Sequence, residues 1–130
     1  MENIETQFAP HLAIKVLQPA MNFYEHAFGA QILRTWKNPD GSVHVCEITL
    51  GGRMFHLHEE TVRHGQLSPE TVSATTVVIG VFTPTPDALF NTAVAAGATV
   101  LSPMQDYDYG YRQGTISDPF GHQWLIQKML

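Results

Sequence analysis

A single cysteine, Cys46, leaves this 130-residue chain without an internal disulfide and fits a reducing compartment. Charge is scarce as well. Only 15% of the residues are charged, and 7 Lys and Arg stand against 12 Asp and Glu, for a net charge of −5. That shortage of basic residues argues against a nucleic-acid face, which is built on a positive patch. No apolar run approaches the ~18 residues of a membrane helix. Met1 to Gln7 is polar and acidic, with neither a basic n-region nor an apolar h-region. The expectation is a soluble, cytoplasmic protein with no nucleic acid and no membrane among its partners. Apolar residues make up 44% of the chain. A chain of this length forms one domain that buries roughly two-thirds of its unfolded surface.

The most informative pattern is a repeat. Gly29-Ala30-Gln31-Ile32-Leu33 and Gly97-Ala98-Thr99-Val100-Leu101 share the pattern Gly-Ala-polar-β-branched-Leu. Each follows an amphipathic stretch, so Gly-Ala reads as a helix C-cap and the residues after it as a strand. Around the first copy, residues 10–17 alternate as a strand, and a helix starts at Pro19 with the stripe Met21, Phe23, Tyr24, Ala27, Phe28. Strands at 31–37, 43–50 and 53–59 follow, the last two flanking Gly51-Gly52, a two-residue hairpin signal. The second copy reads as a strand at 75–82, a helix at 86–96, and strands at 99–103, 112–117 and 122–128. The expected architecture is α+β: two tandem βαβββ modules, about 8–60 and 74–130, joined by a polar linker at 61–73, forming an open barrel-like sheet around a cavity.

Three stretches resemble the vicinal oxygen chelate superfamily, the group of glyoxalase I, bleomycin-resistance proteins and extradiol dioxygenases, and in particular its PhnB-like branch. They are Phe23-Tyr24-Glu25-His26-Ala27-Phe28-Gly29-Ala30, Tyr109-Gly110-Tyr111-Arg112, and Asp118-Pro119-Phe120-Gly121-His122-Gln123-Trp124. The resemblance covers essentially the whole chain. It implies sheets whose concave face holds the site, and a homodimer. It also implies four metal-ligand positions, one from the first and last strand of each module. These fall on His11, His56, Val78 and Leu125, of which the last two cannot coordinate.

Strand alternation turns His11, Ala13 and Lys15 to the cavity, with Met54, His56 and His58. Across the hairpin, Leu50 faces Arg53, and therefore Glu47 faces His56. Two readings follow. In one, His11, His56 and Glu47 are a hydrogen-bonded polar cluster with Glu47 orienting His56, in a pocket that binds a small planar or aromatic molecule. No cofactor is then expected, and glyoxalase I activity is absent. In the other, the same three residues hold a divalent metal (Zn, Ni, Fe or Mn) for a lyase, isomerase or dioxygenase reaction, or His56 and Glu47 act as a general base.

His58 shares the face of His56 and reaches toward the pocket rim. Tyr109 and Tyr111 belong to a segment, 106–112, expected to be a mobile flap offering flat surface to a ligand. Arg112 either anchors an anionic ligand or pairs with Asp106 or Asp108. His26, His44 and His64 read as surface residues. Asp118 is expected to cap its own turn, His122 to be structural, Trp124 to be core under the second helix, and Cys46 to be inert.

Overall fold

A computed structural model describes residues 5–130 of the chain. The stretch Met1–Gln7 therefore falls partly outside the described residues. Two four-stranded mixed sheets form the frame. The first has the order β1-β4-β3-β2 and the second β5-β8-β7-β6. β1 (His11–Ile14), β2 (Gln31–Lys37), β3 (Val43–Leu50) and β4 (Arg53–Glu59) belong to the first. β5 (Val78–Phe82), β6 (Thr99–Tyr107), β7 (Tyr111–Ser117) and β8 (Gln123–Met129) belong to the second. Each sheet receives one long helix, α1 (Leu17–Phe28) or α3 (Pro86–Ala96), between its first and second strands. Among the described strands no ladder joins the two sheets, so there is no closed barrel.

Local chemistry accounts for these boundaries. Helix α1 buries Leu17, Ala20, Met21, Phe23, Tyr24, Ala27 and Phe28 along one side. Gly29 ends it in the left-handed region (φ 64°), with its N–H bonded to the Tyr24 carbonyl. The helix begins two residues before Pro19, because a proline in the first turn removes only an N–H that would have no helical partner. Gly51 (φ 58°) and Gly52 (φ 78°) give the β3–β4 hairpin positive φ at both turn positions, the backbone whose twist matches paired strands.

Three expectations are corrected. β6 does not stop at Pro103 but continues to Tyr107. It is an edge strand with register shifts on either side of Ser102, and at such an edge a missing N–H costs no ladder bond. The segment expected to be a flap is the closed end of the β6–β7 hairpin, where Asp106 pairs with Arg112 and Tyr107 with Tyr111. Tyrosines suit a half-exposed strand better than a loose loop. The segment 61–73 is not featureless. It holds a 3-10 turn at Val62–His64 and the short helix α2 (Pro69–Val72), whose N-cap Ser68 accepts from the Thr71 N–H.

The two units meet through their helices and one buried acid. Asp118 (4% exposed) accepts from Tyr24 Oη at 2.5 Å and Trp124 Nε1 at 2.9 Å through one carboxylate oxygen. Its other oxygen accepts from the Phe120 and His122 backbone N–H groups. The residue thus caps its turn, and also ties α1 to the second sheet. His122 Nε2 lies 2.9 Å from the Ala13 carbonyl of β1. Trp124 packs against Phe28 (ring centroids 4.8 Å apart), Tyr24 and Phe55, so it is core between the modules rather than core under α3 alone. Burial and the Asp118 charge together hold the Tyr24 phenol well above its ordinary pKa.

Candidate functional site

Strand parity decides what each sheet shows to its open side. In β1, Leu12 and Ile14 are buried while His11 and Ala13 are not. In β4, Phe55 and Leu57 go under the helix, leaving Met54, His56 and His58 on the open face. The parallel β1–β4 ladder places His11 opposite His56 and Ala13 opposite His58, and the β3–β4 ladder places Glu47 opposite His56. Four of the residues singled out from the sequence therefore share one surface.

Their contacts are not those of a metal centre. The His11 and His56 rings stack, with centroids 4.2 Å apart and planes inclined by 26°, and His58 lies 5.8 Å from His11. Stacked imidazoles present faces to one another rather than converging lone pairs. Glu47 is held by Arg34 Nη2 at 2.8 Å, and His56 Nε2 lies 3.1 Å from Met54 Sδ. Among the described residues no three His, Cys, Asp or Glu side chains form a group suited to a metal ion. Such a site ordinarily needs three or more donors. The residues present do not fit the divalent metal that the resemblance implies.

The sequence anticipated a Glu47 that orients His56, and here the structure differs. Arg34, from the neighbouring strand β2, takes the carboxylate instead. The two are opposite in the β2–β3 ladder because a bulge after Ile32 shifts the register by one residue. No pattern in the linear sequence announces that bulge. Burial lowers the pKa of both His56 and His58. The neighbouring His11 pushes the same way at each, while Glu47 partly opposes it at His56. These imidazoles are therefore biased toward the neutral form, in which they can accept a hydrogen bond. They border a depression of about 300 Å³ with His44, Glu59, Thr61 and Gln66.

The second sheet carries a different set. Val78, Gly80 and Phe82 of β5 alternate with the more buried Ile79 and Val81. Gly80, not Val78, stands opposite Leu125, while Val78 is opposite Gln123. The ladder position matching the His11–His56 pair is thus Gly80–Leu125, with Val78 two residues along on the same face. Tyr109 (62% exposed) stacks on Tyr107, with centroids 5.1 Å apart, and lies 6.0 Å from Tyr111. Sequence reasoning missed Gln113 and Gln127. Tyr109 Oη donates to Gln113 Oε1 at 2.5 Å, and Gln113 Nε2 donates to Gln127 Oε1 at 2.7 Å. Their alternation with Tyr111 and Leu125 was the available signal.

Arg112 points the other way. Strand parity puts it on the helix side, where it makes two hydrogen bonds of 2.7 Å to the Asp87 carboxylate of α3 and one of 3.0 Å to Asp106. Of its two alternatives, the ion pair is the one formed, and Asp87 is a partner the sequence did not suggest. A groove of about 660 Å³ separates the β1 and β5 edges. It is bordered by His11 and Ala13 on one side and Val77, Val78 and Gly80 on the other, with His122 also in its wall. Cys46 is buried under α1, and desolvation pushes its thiol up to about 11, which keeps it protonated and inert. His26 and His44 are exposed; His26 bonds to the Asn22 carbonyl and His44 to Glu59. His64 lies in the exposed 3-10 turn.

Comparison with known proteins agrees with this architecture. An uncharacterized protein of Mycobacterium bovis is 32% identical over 127 residues, covering 95% of this chain and 84% of that protein. A gene product of Arabidopsis thaliana has a similar solved structure, with TM-score 0.74 and 25% identity over 98% of this chain and all of that one. So does a Bacillus cereus protein described as a putative 3-demethylubiquinone-9 3-methyltransferase, PhnB protein, with TM-score 0.66 and 23% identity over 96% of this chain and 99% of that one. The family profile described as Glyoxalase/Bleomycin resistance protein/Dioxygenase superfamily matches residues 7–126. A match over nearly the whole chain, on a frame of two βαβββ sheets, means that the chain belongs to that superfamily.

Proposed function

We propose that this chain is a small-molecule receptor of the superfamily, holding a planar or aromatic molecule against its open sheet faces without glyoxalase I activity. The observation that carries this reading is the ladder position matching His11–His56. In the second sheet Gly80 and Leu125 occupy it, and neither brings a donor. The groove beside it is walled largely by aliphatic side chains with few polar groups, the usual make-up of a binding pocket. The exposed Tyr109 ring and its neighbour Tyr111 add flat amphipathic surface.

A homodimer fits the same reading. Val78 and Met129 are each more than half exposed on the second sheet, more apolar surface than an isolated face keeps without reason. Light scattering at micromolar concentration should return about twice the 14.5 kDa chain mass.

The reading is tested by elemental analysis of untagged protein and by NMR titration with naphthalene. Well under one equivalent of Zn, Ni, Fe or Mn per chain is expected. Saturable naphthalene binding should weaken in a Tyr109→Ala/Tyr111→Ala variant. A full equivalent of metal that disappears in His56→Ala would establish the metal-dependent lyase, isomerase or dioxygenase reading instead.

A further inference from the structure

Along β5, β7 and β8 the second sheet's open face carries no charge. β5, β7 and β8 direct only Val, Gly, Phe, Gln, Leu, Met, Tyr, Thr and Ser side chains to it. The nearby cation, Arg112, is on the opposite side and already bound to two carboxylates. An anion brought to this face would lose its hydration with no counter-charge in return, which is costly.

At the centre of the face sits an oriented chain of amides. The Tyr109 hydroxyl donates to Gln113 Oε1, so Gln113 can extend the chain only through its Nε2, which donates to Gln127 Oε1. That leaves Gln127 Nε2 as the terminal donor. Gln127 is only 6% exposed. Among the described residues its Nε2 has no acceptor, yet the atom is not sealed from solvent. It lies over Gly80, 2.9 Å from where a Cβ would stand, so the missing side chain is what gives the amide its place. Phe82 and Tyr111, with ring centroids 6.2 Å apart, flank the same region. A buried amide whose terminal donor has no acceptor within the protein calls for one from outside.

We infer that this face recognises an uncharged planar molecule bearing a carbonyl or equivalent acceptor, which takes its hydrogen bond from Gln127 Nε2 while its ring lies against the hairpin aromatics. The inference rests on the receptor reading above and adds the ligand's charge and its acceptor edge.

Three probes test it by NMR titration of the intact protein. They are coumarin (neutral, with a lactone carbonyl), coumarin-3-carboxylate (anionic) and naphthalene (no acceptor). Coumarin should bind more than tenfold tighter than its carboxylate. Gln127→Glu keeps the side-chain shape and the Gln113 bond but removes the donor. It should weaken coumarin about fivefold, the scale of one ordinary hydrogen bond, and leave naphthalene unchanged. Gly80→Ala, which displaces the amide without touching the hairpin, should do the same. Equal or tighter binding of the carboxylate, or coumarin affinity unmoved in both variants, overturns the inference while naphthalene binding keeps the receptor reading intact. Failure of all three probes to bind overturns both.

Discussion

The two sheets share one topology and present opposite chemistry. The first shows His11, His56, His58, Glu47 and Arg34 to its open side, groups that titrate or carry charge. The second, at the ladder positions matching His11, His56, His58 and Glu47, shows Gly80, Leu125, Gln127 and Thr115, which neither titrate nor carry charge. Strand order, hairpins and helix caps are indifferent to this contrast, because they depend on the buried half of each strand and on turn geometry. The duplicated frame therefore leaves the open faces free to differ, and function is to be sought in that difference.

The contrast can be broken most sharply at the joint. Asp118→Ala removes the acceptor of Tyr24 Oη, Trp124 Nε1 and two backbone N–H groups, leaving buried donors unpaired. A loss of about 2–5 kcal/mol is expected in urea unfolding, with amide exchange rising in both sheets together. If only one sheet loosens, the two are less coupled than the buried acid implies.

Damage confined to the second sheet comes next. A Cβ at Gly114 would stand 2.5 Å from Met104 Sδ and 2.8 Å from the Phe90 ring. Gly114→Ala should therefore cost about 1–3 kcal/mol by overpacking α3 against β7. The first sheet's amide-exchange pattern should be unchanged.

The pH dependence should belong to the first sheet. His56 and His58 have folded pKa values below the ordinary imidazole value of about 6.5, so the unfolded chain binds protons that the folded one resists. Their contribution is complete above about pH 6.5 and is lost as pH falls through the lowered values. The urea midpoint should drop between pH 7.5 and 5, and His56→Gln/His58→Gln should flatten that drop. A slope unaltered by the double variant would assign it elsewhere. The smallest effect is expected from Arg112→Ala. Its ion pairs are at the surface, so stability should change less than in Gly114→Ala, and coumarin binding should stay the same.

Much of this was legible in the linear chain because it is local. Gly29 and Gly97 end helices, Gly51-Gly52 fixes the hairpin register, and that register alone puts Glu47 opposite His56. The β2 bulge is not local. It decides that Arg34 rather than His56 receives the Glu47 carboxylate, and it arises from how an edge strand settles against its neighbour. Asp87, 25 residues from Arg112, is likewise brought to it only by the packing of α3 on the second sheet.

The sequence by itself determined the two βαβββ units, their turns, and which side of each strand is buried, since alternation and positive-φ glycines act within a few residues. Tertiary structure alone decided that Trp124 and Tyr24 meet on Asp118, that the histidines stack rather than converge, and that Gln127 ends a relay begun at Tyr109. Those outcomes depend on the placement of groups far apart along the chain, and no short-range pattern encodes that distance.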